Sequence, residues 1–416
     1  MKNSTWGFFF PLPFWFFFVM MKNLYMDLDK ATTAKFLEVF EKIKEAENIL
    51  LVTHKRADGD AVASLCAMIS LCESLGKKYT AFCPGEPINQ YSFLPYTEKI
   101  IFDKPRTLLK TLTARVKNEG GIKESLQWDL TPSERMRGKS FFSSQRSEGR
   151  TLADFKDLAP LEKVGFEAPS FLTGFTLIIA LDCGSLERTG LAREIEGRGF
   201  NQFFIEFDHH LKNGNQSDLE IRKPEAVATT EILYYFFKAN KIKTTKNIAD
   251  CILTGILTDT GNFLYSATSQ KAINIASEML LYGARFPRIV KNTIHNKSLP
   301  AMKIWGLALN NLKINKKYNF AFSVLTLAEI EKFSPDDNED VFDSISGFLS
   351  NLYGVKGVLF LREEKEGRLK GSLRSAHPKV DVSQLANKLG GGGHTKASGF
   401  VLEGKIEKEG NNWVII

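Results

Sequence analysis

Four short segments carry the residue types of hydrolytic metal chemistry: His54-Lys-Arg-Ala-Asp58-Gly-Asp60, Asp182, Asp208-His209-His210 and Thr258-Asp259-Thr-Gly261. Carboxylates and imidazoles without thiolates suit Mn²⁺, Mg²⁺ or similar divalent ions. Two such ions, about 3.5–4 Å apart, need at least one bridging carboxylate, and together they would acidify a shared water and clamp phosphoryl oxygens. Asp182 is the candidate bridge, because it closes the apolar run Thr-Leu-Ile-Ile-Ala-Leu. Gly59 is read as permitting a turn that splits Asp58 and Asp60 between two ions. Each motif alone is weak, since a single Asp at a strand end is commonly a helix cap or turn residue. Only six histidines occur in the chain, however; three fall in these segments and a fourth, His394, in a glycine run. That concentration favours chemistry.

The glycine run is Gly390-Gly391-Gly392-Gly393-His394-Thr-Lys396-Ala-Ser398-Gly399. Consecutive glycines let backbone amides approach an anion without interference from Cβ atoms. His394 and Lys396 add donors, and Arg374, flanked by Ser372 and Ser375, suits a bidentate phosphate contact. These residues, with Gly391, Gly392 and Gly393, are the expected substrate-binding set. A flexible loop or a helix C-cap is the plainer explanation of such a run.

The elements that must position these groups read as strands alternating with helices. Helical spacing covers 31–47, followed by a buried strand at 48–53, a helix at 61–75 and a strand at 79–83. Apolar runs at 175–181 and 202–207 and helical patterns at 229–240, 248–257 and 269–282 complete an α/β domain with a mostly parallel sheet. Ligands bind at the carboxyl ends of such strands, so segments far apart in sequence can converge on one crevice. Residues 287–317 read as a helical connector. A smaller α+β domain across a cleft follows: a strand at 318–327, a helix at 340–352, a hairpin at 357–375 and a helix at 382–389. The expected division is 1–26 as a hydrophobic extension, 27–286 as the catalytic domain, 287–317 as linker and 318–416 as the substrate-binding domain.

Within the first domain, residues 104–169 break the pattern. Arg135, Arg137, Lys139, Arg146 and Arg150 crowd there, and a solvated insertion is expected rather than a nucleic-acid arm using Trp128, Phe141 and Phe142. The chain of 416 residues has room for two cores. Its net charge of +7 is compatible with a phosphate-bearing substrate without proving one. The five cysteines are odd in number and lack CxxC spacing, which fits reduced, buried thiols in a cytoplasmic protein. Residues 6–21 are apolar and aromatic, but short for a span and interrupted by Pro11 and Pro13. Membrane association through them is not expected, and a start at Met20, Met21 or Met26 is the favoured account.

Taken together, the four acidic segments resemble the motifs of the DHH phosphoesterases, and the glycine-histidine run resembles the signature of the DHH-associated C-terminal domain. The order holds from about Asp27 to Gly404, apart from the insertion. The resemblance is nearest to the oligoribonuclease (nanoRNase) and pAp phosphatase subgroup. RecJ exonucleases are larger and carry an OB domain, family II pyrophosphatases lack the glycine-histidine run, and cyclic-di-AMP phosphodiesterases add membrane and sensory segments. The resemblance implies that His54 and Asp58 hold one ion with Asp182 as bridge. Asp60, His209 and Asp259 would hold the other. Asp208 would orient a histidine, and His210 would face the scissile phosphate. It implies two divalent ions, with Mn²⁺ preferred and Mg²⁺ or Co²⁺ as substitutes, and as partners short single-stranded oligonucleotides or small nucleotides such as pAp. A homodimer is left open. The rival readings are a cyclic or linear dinucleotide phosphodiesterase and a non-enzymatic nucleotide-binding regulator. Ala57 stands where the family often has Pro, which affects loop stiffness, and the basic insertion puts substrate length and access in question.

Overall fold

The structure, a computed structural model, describes residues 29–85, 89–103, 111–118, 121–129, 171–211, 217–265, 267–333, 339–377, 379–410 and 412–416. It opens with helix α1 (Lys30–Glu45). Asp29 caps it by accepting the Thr32 amide at 2.7 Å, and Phe36, Val39 and Ile43 form its buried stripe. Strand β1 (Asn48–Val52) follows, then α2 (Gly59–Ser74), which is buried along most of its length, and β2 (Lys78–Phe82) and β3 (Ile100–Ile101). After the insertion come β6 (Leu177–Leu181), α3 (Ala192–Glu196), β7 (Phe203–Asp208) and β8 (Leu219–Arg222). Helices α4 (Thr229–Ala239), α5 (Lys246–Asp259) and α6 (Gln270–Leu281) complete the layer.

The six strands form one sheet in the order β3-β2-β1-β6-β7-β8, with every pair parallel. Parallel strands joined by helices are covered on both faces, which is why β1, β6 and β7 are unbroken apolar runs. Along β1 the alternation is visible: Ile49 and Leu51 join the core beneath α2, α4 and α5, whereas Leu50 and Val52 join a smaller core with Leu172, Phe175, Leu186, Leu191 and Ile195. The neighbouring ends of β1, β6 and β7 are where His54, Asp182 and Asp208 begin.

The second domain holds a mixed sheet, with β9 (Lys313–Asn315), β10 (Phe320–Leu325), β11 (Gly357–Glu364), β12 (Arg368–Ser375), β13 (Gly392–Gly393) and β14 (Ala397–Glu403) in the order β13-β14-β12-β11-β10-β9. Only β10 and β11 run parallel. One face packs on α8 (Leu299–Asn310) and α10 (Glu339–Leu349), with α9 (Leu327–Glu331) beside them. The other packs on α11 (Ser383–Lys388) and a hairpin of β15 (Ile406–Glu409) and β16 (Asn412–Ile415). The chain is thus an α/β protein: a helix-flanked parallel sheet followed by a smaller mixed-sheet domain.

The segment 287–317, expected as a helical connector, is helical over most of its length. It holds α7 (Phe286–Thr293) and α8 but ends in strand β9, and Ala301, Ile304 and Ala308 of α8 belong to the second core. The segment is therefore the first layer of the second domain, because its apolar face needs that sheet to be buried. A hairpin of β4 (Thr111–Asn118) and β5 (Gly121–Asp129) also stands where no regular element was expected. The rest of the 104–169 reading, and the readings of residues 1–26, lie outside the described residues. Among the described residues, no helix is long and apolar enough to cross a membrane.

Candidate metal centre

The end of β1 is pinned to β6 by Thr53, whose hydroxyl donates to the Leu181 carbonyl at 2.8 Å. His54 follows, fully buried. Its Nδ1 lies 2.9 Å from the Lys55 carbonyl oxygen and 3.0 Å from Nη2 of Arg188. Its Nε2 is buried without a hydrogen-bond partner, 4.0 Å from the Asp58 carboxylate. The two contacts ask opposite roles of Nδ1, since Arg188 can only donate; in the tautomer that donates Nδ1–H to the carbonyl, Nε2 is a bare lone pair, the state of a metal-ligating imidazole. Burial, reinforced by Arg188 against the pull of Asp58, lowers the pKa of this ring.

Asp58 caps α2 by accepting the Ala61 amide at 3.0 Å, and its side chain is half exposed. Two residues on, Asp60 is fully buried and faces the N-terminus of α4. It accepts the Thr229 amide at 2.5 Å, the Thr230 amide at 3.0 Å and the Thr230 hydroxyl at 2.6 Å. The helix terminus favours its anion, yet burial, with Asp58 adding, raises its pKa to about 7. Asp60 is reached because Gly255 lets α5 come close: a Cβ there would overlap both Asp60 and Thr230. Gly59 is likewise required for contact and not for an unusual turn. It is the first residue of α2, and a Cβ would overlap the Thr258 side chain.

Asp182 is buried in the left-handed region, with φ 59°. A non-glycine residue costs energy there, and such strain clusters at functional sites. Its Oδ1 accepts the Thr229 hydroxyl at 2.8 Å and lies 3.5 Å from Nε2 of His209. His209 Nε2 is also 3.3 Å from Asp259, the last residue of α5. Burial first, then neighbouring carboxylates, pushes Asp182 and Asp259 well above the usual carboxyl range. Burial, with His210 and His394, pulls His209 down to about 3. His54, Asp58 and Asp182 bring ligand atoms within 4.8 Å of one another; so do Asp60, Asp182 and His209. Asp182 is common to both groups. Neutral imidazoles, an orphaned buried nitrogen and carboxylates that repel one another lack only a positive counter-charge, and this donor set fits divalent cations.

Asp208 and His210 form a third close group with Asp182, but Asp208 is already neutralised. Its Oδ1 accepts the His210 amide and sits 2.8 Å from His210 Nδ1; its Oδ2 accepts the Gly184 amide at 2.7 Å and lies 3.2 Å from Arg222. Burial works against ionisation, but His210 and Arg222 outweigh it and hold the carboxyl well below its ordinary value. His210 therefore turns its Nε2 away from Asp208.

The second domain meets this floor through His394. Its ring centroid lies 5.4 Å from that of His209 and 5.3 Å from that of His210, and its Nε2 is buried without a hydrogen-bond partner. Burial and His210 lower its pKa to about 4. His209, His210 and His394 themselves form a close ligand-type group. The glycines before His394 have structural duties. Gly390, at φ 75°, follows α11 in a left-handed cap, and Cβ atoms at Gly391 and Gly393 would collide with β14. The amides of Gly390, Gly391 and His394 are donated to Asn387, Ala386 and Ala397. Gly392 has room around it, with Asn387 Oδ1 3.6 Å from where its Cβ would be, and its φ is not positive as that of Gly390 is.

Strand alternation separates the β12 residues. Ser372 and Arg374 share the half-exposed face, while Ser375 faces the core with Leu373. The Ser375 hydroxyl lies 2.8 Å from both the His377 and Val380 carbonyls. That placement corrects its expected substrate role. Lys396 donates to the His377 carbonyl at 2.8 Å, beside the same turn. Sequence reasoning missed Arg188, Arg222, Thr229, Thr230 and Gly255. The one available signal was Gly255, an interior helix glycine among apolar residues.

The DHH family, N-terminal domain, matches residues 48–256, half of the chain, and the DHHA1 domain matches residues 318–411. A bifunctional oligoribonuclease and PAP phosphatase, NrnA, of Thermus thermophilus is 30% identical over 227 residues, covering 55% of this chain and 65% of that protein. The chain thus spans slightly less than two thirds of that relative's length. The Bacillus subtilis protein of the same name is 28% identical over 227 residues, covering 54% and 69%. The crystal structure of an exopolyphosphatase-related protein from Bacteroides fragilis has the same fold, with a TM-score of 0.66 and 23% identity over 92% of this chain and 94% of that one. With half of its length matched by the family's N-terminal domain and the DHHA1 domain following it, the chain belongs to the DHH family.

Proposed function

We propose that this protein is a two-metal phosphoesterase that hydrolyses very short oligonucleotides, pAp, or both. The observation that carries the reading is Asp182: one buried, strained carboxylate shared by two ligand groups, His54–Asp58 and Asp60–His209, with Asp259 beside the second. Two bound divalent ions, Mn²⁺ by preference, would supply Lewis acidity and a water nucleophile at neutral pH.

The chain's own residues do the rest. Thr229 and Thr230 hold Asp182 and Asp60 in place through hydrogen bonds. Asp208 holds the His210 ring through Nδ1; with a second proton on Nε2, that nitrogen can donate to a phosphate oxygen or protonate a leaving group. Arg222 anchors Asp208 from behind. His394 and Arg374 grip the terminal nucleotide from the second domain, with Ser372 on the same strand face as Arg374. A site closed on one side by the second domain admits an end, not the middle of a long strand, and this favours small substrates. The names borne by the Thermus and Bacillus relatives agree with that class.

The test is a panel of a dinucleotide, pAp, a cyclic dinucleotide and a long single strand, assayed with Mn²⁺. Turnover of the dinucleotide or pAp well above that of the long strand is expected. Preference for the long strand, or no turnover of any phosphoester, overturns the proposal.

A further inference from the structure

The turn after Asp259 does more than end a helix. Gly261, Asn262 and Phe263 lie in succession in the left-handed region, at φ 54°, 59° and 66°. Such conformations persist in non-glycine residues only where surrounding structure over-determines them. Here the determinants are visible. The Asn262 amide donates to the Leu257 carbonyl at 2.7 Å, the Phe263 amide to the buried Thr260 hydroxyl at 3.1 Å, and the Tyr265 amide to the Thr260 carbonyl at 2.9 Å. Asp259 and Tyr265 are thus the two ends of one stiff segment.

Tyr265 projects from it into the second domain. The Cε1–Cζ edge of its ring touches two glycines, one from each domain: a Cβ on Gly261 or on Gly347 would overlap that same edge. Gly347 lies inside α10 and is buried. Glycine is a poorer helix former than alanine, and no positive φ explains it, so the contact with Tyr265 is the reason for its presence. Helix α10 packs its buried face, Val341, Phe342, Ile345 and Leu349, in the core on the sheet that includes β11 and β12. Strand β12 carries Arg374 and pairs with β14, whose leading turn holds His394. A rigid path therefore runs from Asp259 through Tyr265 and Gly347 to His394, which meets the centre, and to Arg374 on the half-exposed face of β12.

Building on the phosphoesterase reading, we propose that Tyr265 is a positioning residue: its ring, clasped between Gly261 and Gly347, sets how far His394 and Arg374 stand from the acidic floor. A methyl group at 347 would wedge the domains apart while improving the helix that carries it.

Three variants test this: Gly347→Ala, Tyr265→Ala and the double substitution. Each is measured for kcat and KM on a dinucleotide, Mn²⁺ affinity, thermal melting and interdomain distance. The distance is read between spin labels at Leu37→Cys and Tyr353→Cys, exposed positions in a chain whose five native cysteines are buried. Misplacement of this kind costs about 100-fold in kcat/KM for a shift near 1 Å, and a loss of that order is expected for Gly347→Ala. Its melting should be undiminished, its Mn²⁺ affinity near that of the unsubstituted chain, and its label distance altered. The double variant should be no worse than Tyr265→Ala alone, because the clash disappears with the ring; residues in contact are non-additive in this way. Strictly additive losses, or a Gly347→Ala protein with unchanged kcat/KM and label distance, overturn the proposal. Should no substrate in the panel be hydrolysed, the phosphoesterase reading falls, and the label distance still decides on Tyr265: altered by Gly347→Ala supports it, unaltered refutes it.

Discussion

The acidic floor and the glycine-rich wall opposite it are built on different principles. On the floor, polar neighbours hold several of the ligand-type groups before any ion arrives: Thr229 and Thr230 for Asp182 and Asp60, and the Lys55 carbonyl for His54. What the floor lacks is positive charge. In the wall, the polar groups are largely spent on the wall itself. Amides of the glycine run close a helix and a strand pair, the Ser375 hydroxyl lies against turn carbonyls, and Lys396 donates to His377. Only a few wall groups, His394 foremost, are turned toward the centre. A metal site demands preset donors, because reorganising several carboxylates around an ion is costly. A substrate wall needs only a few well-aimed groups on a stiff frame.

The comparison breaks most severely at Asp182. Asp182→Asn should lower kcat by about 1000-fold or more, the scale associated with loss of preorganised electrostatic stabilisation, while circular dichroism and melting show a folded protein. Near-normal turnover would dismantle the assigned floor. A smaller effect is expected from the wall. His394→Ala or Arg374→Ala should cost about 1.5–3 kcal/mol in kcat/KM, the value of a hydrogen bond to a charged group, with Mn²⁺ affinity nearly unchanged. Stripping of metal by His394→Ala would move that residue from the wall to the floor, a result that its closeness to His209 makes worth measuring.

The floor should also respond to pH in a way the wall does not. Asp60, raised to about 7, and Asp182 and Asp259, raised well above the usual range, hold protons that an incoming cation must displace. His209, lowered to about 3, is already neutral and releases none. Calorimetric Mn²⁺ affinity should therefore fall, and proton release rise, on going from about pH 8 to about pH 5.5. An affinity independent of pH would mean that the carboxyls are ionised without the ion. The smallest effect belongs to Lys396→Ala. Its donor serves an exposed turn, so kcat/KM should stay within about twofold, as surface substitutions usually do.

How much of this was legible in the sequence follows from where the information lies. Strands β1, β6 and β7 are unbroken apolar runs, and each ligand follows directly on a run's end, so local pattern suffices. Asp208 and Arg222 are partners across β7 and β8, a pairing that exists only once register is set. Thr229 and Thr230 meet Asp60 from 169 and 170 residues away, which no spacing rule reaches. Nearness in sequence to Arg374 says nothing of where Ser375 points, because strand alternation puts the two on opposite faces. The β4–β5 hairpin has a readable signal, Leu112-x-Ala114-x-Val116 before Glu119-Gly120 and Ile122 beyond it, but the surrounding Lys and Arg mask its period.

The central claim is that one shared carboxylate organises two cation positions. Equilibrium titration of Mn²⁺ into the chelator-treated protein, followed by calorimetry and by the free-ion resonance signal, tests it directly. The account predicts two ions bound per chain, with dinucleotide hydrolysis appearing as the second site fills. Saturation at a single ion with full activity, or no specific binding at all, would contradict it.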